Sequence, residues 1–481
     1  MLEISPCFFL KPSRIKVKSN QFISRDPVWI QRSQKERMGI LKNAFYAKLW
    51  LFLYILLIFL PLALLIIFPR PPAREPLRDF SVALGFITMS LLGLQTIPTS
   101  RLKFITQYFP MEKLYSVHHK MSILTFVLAV VHPVLLFINN PETLRLLNFA
   151  TAPWRVRAAL ISLLAMVVLI VTSVWRETIK MRYDVWRWVH DAMTLIAVGM
   201  GLFHMFRVNY YMSLTYQRVL WLGLTAIWVA VILYIRVARP INMIKNPWVV
   251  DHVKEEFGDS WSLYVRPEGH QGFKFQAGQF AWITVESPFI FRENPFSFST
   301  SSDREDNLIG FTIKELGDFT STIKDLKPGD PIYVDGPYGT FNLDEHYDEN
   351  LVLIAGGIGS APVLSILRTM RDRGRKSPVM FFYGNPTWDT IIFRDELEEL
   401  EKEMDWLTVV HVLEQPPEDW EGEKGYISAY VLARHLPADY KQWEFIFFLC
   451  GPMLMIEAVE GALMGLEIKQ TQIFSEKYEM A

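Results

Sequence analysis

The sequence predicts a chain in three folded parts: a six-helix membrane bundle, an antiparallel β-barrel and a doubly wound α/β domain. Three observations predict it. Long uncharged runs recur between about residue 49 and residue 237. Short alternating runs broken by turn residues follow, from about 247 to 345. From about 350 the pattern becomes strand, glycine-rich turn and helix. The expected boundaries are an arm over 1–47, the membrane bundle over 48–238, the barrel over 247–345 and the α/β domain over 346–481. The chain has 481 residues, 51% of them hydrophobic, and a net charge of -1, so bulk charge points to no nucleic-acid partner. Cys7 and Cys450 lie too far apart to suggest a disulfide framework or a cysteine metal site.

The helices come first. A spanning helix takes about 20 mostly apolar residues. Leu49 to Phe68, Phe80 to Thr99, Met121 to Ile138, Ala158 to Val174, Val185 to Phe206 and Val219 to Ile235 supply six candidates. Six spans return the chain to its starting side. The short loops are nearly balanced in Lys and Arg. The N-terminal segment, basic from Lys11 through Lys48, decides the orientation, with both termini cytosolic. Residues 1 to 47 do not read as a cleaved signal peptide, because the basic residues follow the short apolar stretch rather than precede it.

Ionisable groups within a bilayer are rare and usually functional. The third predicted helix carries His118 and His119 at its start and His132 deeper in, and the fifth carries His190 and His204. Both helices begin on the cytosolic side and so run parallel. His118 to His132 and His190 to His204 are each 14 residues apart. That spacing returns to nearly the same helix face, about 40° off, after a rise of about 21 Å. Two parallel helices then offer two facing histidine pairs at two depths, each able to hold an iron porphyrin between them. His119, 13 residues before His132, points about 140° away on an ideal helix, and a π-bulge would bring it round as the alternative inner ligand. His118 is therefore the favoured inner residue, with Ser122 giving a porphyrin room. A metal-ion transporter also places histidines in membranes, but does not account for the segments that follow.

In the soluble half, Trp261 to Val265, Ala281 to Val285 and Pro331 to Val334 read as barrel strands. Leu351 to Ile354 reads as a buried strand, Ala355-Gly356-Gly357-Ile358-Gly359-Ser360 as a turn, Ala361 to Arg371 as a helix and Val379 to Tyr383 as a second strand. Glycines let backbone approach a pyrophosphate, and the following helix offers free amides. The motif is not the full G-x-G-x-x-G form, so by itself it is equally a tight structural turn. Asn294-Pro295-Phe296-Ser297-Phe298-Ser299 puts aromatic and hydroxyl groups on one strand. Lys314 to Thr320 can present amides and a hydroxyl to phosphate. Cys450-Gly451-Pro452-Met453 ends the apolar strand Phe445 to Leu449, where a small soft side chain can line a nicotinamide pocket.

Together these segments resemble the ferredoxin-reductase-type flavin and nucleotide module. With the histidine-paired membrane part, the chain resembles the NADPH oxidase and ferric reductase superfamily, and its bacterial ferric-reductase-like members most. The resemblance runs from about residue 49 to the end. It rests on Ala277 to Trp282, Asn294 to Ser299, Gly317 to Thr320, Asp335 to Gly339, Ala355 to Pro362 and Cys450 to Met453, in family order. It implies FAD, two haem b groups and NADPH, with NADH as the alternative. It implies that Pro295, Phe296, Ser297 and Phe298 line the flavin, with Gln279 and Phe280 beside them. Gly317, Phe319 and Thr320 would hold the FAD diphosphate. Gly356, Gly357, Gly359 and Pro362 would hold the nucleotide pyrophosphate. Cys450 would sit near the nicotinamide with Gly451 and Pro452, and Tyr478 would cover the flavin ring. Two positions depart from the family: Asn294 stands where Arg or His is common, and Pro386 where Arg is common. Arg368, Lys376 or Arg394 would then have to meet the 2'-phosphate of NADPH.

The implied activity is electron transfer from cytosolic NAD(P)H through FAD and two haems to an acceptor across the plasma (inner) membrane. Dioxygen giving superoxide is favoured over a ferric chelate. A membrane electron-transfer subunit serving a partner protein is the other class. No EF-hand loop occurs, and no obligatory protein activator is expected.

Overall fold

The computed structural model describes residues 27–290, 292–347, 349–437, 440 and 445–477, with side chains from residue 44 onward. Cys7 and Tyr478 lie outside the described residues. The chain divides into two compact units, residues 38–242 and a soluble unit from residue 243.

Six helices of the first unit are long and apolar enough to cross a membrane. They are α1 (Pro27–Ile67), α2 (Pro76–Leu94), α3 (Met111–Asn139), α4 (Trp154–Val174), α5 (Tyr183–Val208) and α6 (Thr215–Leu233). A wide π turn, Tyr234–Ala238, carries α6 into α7 (Arg239–Lys245). The six expected spans are all present. α3 starts ten residues before its apolar run, because Glu112, Lys113 and Lys120 occupy polar opening turns that hydropathy alone discounts.

Packing in this unit is pairwise. α2 lies along α3, and α4 along α5. Aromatic side chains fill the contact between α2 and α6: Phe86 stacks on Trp221 at 5.8 Å, and Trp221 meets Trp228 edge-on at 6.3 Å. Gly93 is required there, since a Cβ would fall 2.0 Å from the Trp228 ring. Pro61 lies within α1, and its carbonyl accepts a 2.8 Å bond from the buried Gln217 amide of α6. An amide so deep in an apolar bundle needs that partner.

The first lobe of the soluble unit is a six-stranded antiparallel sheet. Its strands are β1 (Trp248–Glu256), β2 (Ser260–Pro267), β3 (Phe280–Thr284), β4 (Asn294–Ser297), β5 (Ile309–Lys314) and β6 (Pro331–Tyr338), in the order β4-β3-β6-β1-β2-β5. A single bridge, Phe298 to Phe311, links the two edges of that order. Trp248, Val250, Leu263, Phe298 and Phe311 fill its interior.

The second lobe is a parallel sheet. Its strands are β7 (Asn350–Gly356), β8 (Val379–Asn385), β9 (Leu407–Leu413), β10 (Glu423–Lys424), β11 (Phe445–Gly451) and β12 (Ile473–Lys477). The order is β10-β9-β8-β7-β11-β12. Both β7 and β11 are buried along their whole length, as a sheet covered on two faces demands. The covering helices are α8 (Ser360–Asp372), α9 (Arg394–Glu403), α10 (Ala429–His435) and α11 (Met453–Gly465). The strand order reverses between β7 and β11. In open α/β sheets that point opens a ligand crevice at the strand carboxyl ends.

Candidate functional site

The membrane histidines meet in pairs. The ring centres of His118 on α3 and His190 on α5 are 6.3 Å apart. Two imidazoles on opposite faces of one metal, with bonds of about 2 Å, place their ring centres roughly 6 Å apart. His132 and His204, 14 residues further along each helix, are close enough for their charges to interact. α3 and α5 do not pack along one another, as a porphyrin between them requires. His119 is exposed on the outer side of α3.

What surrounds the rings fixes their chemistry. His118 Nδ1 lies 3.2 Å from the Gln95 carbonyl oxygen, His132 Nδ1 2.7 Å from the Ser81 carbonyl oxygen, and His204 Nδ1 2.7 Å from the Arg155 carbonyl oxygen. A carbonyl only accepts, so Nδ1 carries the proton in all three and Nε2 keeps its lone pair. His190 Nδ1 lies 3.4 Å from the Ser173 hydroxyl, which also accepts from Trp186 Nε1. Metal-ligating histidines are typically oriented through their second nitrogen in this way. Gly85 gives the His132 ring its room: a Cβ there would lie 3.3 Å from Cε1. Among the described residues no group of three His, Cys, Asp or Glu converges as a non-haem metal site would require. The residues present therefore fit haem held by paired imidazoles.

Sequence reasoning found the histidines and missed their partners. Gln95, Ser81 and Arg155 act through backbone carbonyls, which side-chain identity does not signal. Phe126, midway between His118 and His132, packs into the bundle core.

In the soluble unit, Phe296 on β4 stacks on Phe319 at 5.9 Å, so the predicted strand and loop do come together. Pro295 and Phe296 keep part of their surface open, and the buried Ser299 hydroxyl has no hydrogen-bond partner among the described residues. An aromatic platform with an unused hydroxyl beside it suits a flavin. Four expected roles change. Phe298 is fully buried, stacked on Phe275 at 4.1 Å, and leaves no surface for a cofactor. Phe280 is likewise buried against Tyr338. The Gln279 side chain is spent within the fold, donating to the Gly339 carbonyl and accepting from the Gln276 amide. The Thr320 hydroxyl closes its own loop, accepting from the amides of Leu316 and Gly317.

The glycine turn sits at the reversal point. Gly357 is left-handed at φ +52°, and a Cβ on Gly359 would strike the Cys450 carbonyl oxygen at 2.1 Å. The turn after β7 is thus pressed against the end of β11. Pro362 is buried in the first turn of α8, while Pro452 is exposed at the rim and Gly451 is buried. Cys450 is wholly buried in the core, so its thiol presents no surface to a nicotinamide. A residue not singled out in the sequence, Tyr383 on β8, braces the turn. Its hydroxyl lies 3.0 Å from the Gly357 carbonyl oxygen and 2.9 Å from Ser360 Oγ. Burial pushes this phenol up to about 12, so it stays a neutral donor.

Arg368 of α8 is not available to a phosphate. It pairs with both carboxylate oxygens of Glu396 and donates to the Ser299 carbonyl. Burial opposes the Arg368 charge, and the Glu396 carboxylate more than restores it. Arg394 lies over the Phe257 ring at 4.2 Å, with Asp395 and Asp389 at 3.3 and 3.7 Å.

Comparison with known proteins agrees with this geometry. The ferric reductase like transmembrane component matches residues 84–202, and the oxidoreductase NAD-binding domain matches residues 353–461. These define the class: an integral membrane, NAD(P)H-dependent flavoprotein oxidoreductase. The chain belongs to the NADPH oxidase and ferric reductase architecture, which joins those two parts. The reductase component of propane 2-monooxygenase from Mycolicibacterium smegmatis is 32% identical over 250 residues, 50% of this chain and 68% of that protein. NADH-cytochrome b5 reductase 1 from Dictyostelium discoideum is 30% identical over 178 residues, 36% of this chain and 62% of that protein. Several such relatives are spanned over less than two thirds of their length. A flavohemoglobin structure from Malassezia yamatoensis aligns over 84% of this chain and 96% of that chain, at 18% identity and a TM-score of 0.44.

Proposed function

We propose that this protein carries electrons from cytosolic NADH, through FAD and two b-type haems, to a one-electron acceptor on the far side of the plasma (inner) membrane. The observation that carries the reading is the set of four membrane histidines paired across α3 and α5. Three hold Nδ1 on a backbone carbonyl, which would leave the Nε2 lone pair for a metal. His118 and His190 would hold the inner haem, and His132 and His204 the outer one. Bound there, flavin and haem supply the conversion of a hydride into single electrons. The residues of this chain bind, orient and insulate those groups.

Pro295, Phe296, Ser297 and Phe319 would carry the flavin, and the Gly356–Gly359 turn the pyrophosphate. NADH is placed ahead of the NADPH implied by the family resemblance. Of the three cations offered for a 2'-phosphate, Arg368 is paired with Glu396, Arg394 lies among Asp389, Asp395 and an aromatic ring, and the exposed Lys376 precedes β8, at the sheet end opposite the strand carboxyl ends. Asp389 is exposed in the loop after β8, and an acid there favours a ribose hydroxyl over a phosphate. Relatives named as NADH reductases agree. Two histidines would hold each haem, which would then pass electrons rather than bind substrate. The acceptor then reacts beside the site, with dioxygen giving superoxide placed ahead of a ferric chelate.

The test uses purified protein in sealed vesicles with nucleotide on the side of the soluble unit. NADH is expected to drive superoxide formation on the opposite side, read as dismutase-sensitive dye reduction. It should exceed NADPH in kcat/KM by about tenfold or more, a difference of roughly 1.4 kcal/mol. Ferrous iron in place of superoxide would select the ferric chelate. Dependence on an added protein would select the electron-transfer subunit. No oxidation of either nucleotide would contradict the proposal.

A further inference from the structure

We infer that Ser365 and Thr369 of α8 are positioning residues for hydride transfer from nucleotide to flavin. The inference rests on the reading above, in which the Gly356–Gly359 turn holds the pyrophosphate and β4 carries the flavin. Both hydroxyls lie within α8, one helical turn apart, and both residues are fully buried. A buried hydroxyl is costly unless it is hydrogen-bonded. These two find partners in the antiparallel lobe. Ser365 Oγ donates to the Thr300 carbonyl at 2.6 Å, and the Ser302 amide donates to Thr369 Oγ1 at 2.9 Å. Thr369 gives its own proton to the Ser365 carbonyl at 2.7 Å, which leaves its oxygen to accept.

The same stripe of the helix carries two more contacts. Arg368 donates to the Ser299 carbonyl, and Arg373, just past the end of α8, donates to the Asp303 carboxylate at 2.8 Å. Positions 365, 368, 369 and 373 share one helix face, and together they grip residues 299–303. Apolar residues of α8, Val363, Leu367 and Met370 among them, belong to the α/β core instead. Residues 299–303 are also held by β5. The Ser299 amide donates to the Gly310 carbonyl at 2.8 Å, and the Gly310 amide donates to Thr300 Oγ1 at 3.1 Å.

The gripped segment follows β4 closely, and α8 follows the glycine turn directly. One helix therefore joins the strand that would carry the flavin to the turn that would carry the nucleotide. Hydride transfer breaks the C4–H bond of the reduced nicotinamide and delivers that hydrogen, with its electron pair, to the flavin. The nucleotide is oxidised and the flavin reduced. Reacting atoms must come within about 3–3.5 Å, and a small misplacement slows such a step steeply. Apolar packing tolerates sliding, whereas hydrogen bonds fix both length and angle. Ser365 and Thr369 act through the helix and the segment, without touching either reacting group.

The experiment compares wild type, Ser365→Ala, Thr369→Val, the double variant and Thr369→Ser, as purified, FAD-loaded protein in lipid nanodiscs. Tyr440→Phe removes a bond to the Leu466 carbonyl on the opposite face of the parallel sheet and controls for lost stability. Anaerobic rapid mixing with NADH and with 4-deuterated NADH gives the limiting rate of flavin reduction, its isotope effect and the apparent Kd. Hydrogen exchange of residues 299–303, without nucleotide, reads the seam itself. The double variant is expected to reduce flavin about tenfold more slowly, with a larger isotope effect and a Kd within about twofold of wild type. The Ser302 amide should exchange faster in Thr369→Val, while Thr369→Ser and Tyr440→Phe match wild type in both readouts. Should the double variant fail to fold, the two single variants decide, each slowing the same step. An unchanged rate, an equal slowing in Tyr440→Phe, or a Thr369→Ser protein as slow as Thr369→Val would overturn the inference and leave the electron-transfer reading intact. Wild-type protein whose flavin neither nucleotide reduces would instead overturn that reading.

Discussion

Imidazole has two nitrogens, and the partner of one decides what the other can do. His118, His132 and His204 each place Nδ1 on a backbone carbonyl oxygen, so Nε2 is the atom left to bind iron. His119, exposed and one position further along, belongs to a different face of α3. His118→Leu is therefore expected to remove one haem per chain, and His119→Leu none, as read by pyridine haemochrome assay. Tyr383 makes a second prediction at this scale. Tyr383→Phe keeps the packing and loses the hydroxyl that braces the Gly357 carbonyl. A hydrogen bond of this kind contributes about 1 kcal/mol. The expected outcome is a rise of roughly fivefold in the apparent Kd for NADH in rapid-mixing flavin reduction, with protein stability little changed. The histidines were legible in the sequence because ionisable residues in an apolar run stand out. Tyr383 was not, because one tyrosine in a buried strand looks like core, and its role lies in a turn 26 residues earlier in the chain.

The elements were mostly legible, and the misread residues share a cause. Apolar runs located all six spans, and strand–turn–helix patterning located β7, α8 and β8. What patterning does not show is which face of a strand meets the core. Phe298 was expected at the flavin because it belongs to the Asn294–Ser299 segment, yet it fills the sheet interior between Phe275 and Phe311. Cys450 was expected at the nicotinamide and is closed over in the α/β core. Contacts between elements were equally hidden. Gly93 lies under Trp228, more than a hundred residues away, and Gly93→Ala would drive a methyl group into the indole. Overpacking of this kind costs roughly 1–3 kcal/mol, measurable as a lower Tm of the detergent-solubilised protein by loss of the haem band. The Arg368–Glu396 pair ties α8 to α9 and to the segment after β4. Arg368→Ala leaves a half-buried carboxylate unpaired and is expected to cost about 2–3 kcal/mol, below the range for a fully buried pair, read as flavin release on heating. Replacing both residues with leucine should recover most of that loss.

At the scale of the whole molecule, stability depends on pH through a buried histidine. His411 on β9 lies between Tyr383 and Trp388, and burial lowers its pKa from the ordinary 6.5 to about 4. Between those values the unfolded chain binds a proton that the folded chain does not. Its contribution is therefore fully present above about pH 6.5 and is lost as pH falls towards 4. The loss is of order 3 kcal/mol when complete. Thermal unfolding of the soluble unit within the intact protein should show Tm falling over that window, and His411→Phe should flatten the fall. Across the two units one plan repeats. Backbone geometry positions the groups, through carbonyls that orient histidines in the membrane and glycines that let the turn after β7 press against the end of β11. The most direct measurement is the haem content of purified, fully loaded protein. The account predicts two haems per chain with the low-spin spectrum of paired imidazoles, and one after His132 and His204 are both changed to leucine. Protein that binds no haem, or keeps both in that variant, would contradict it.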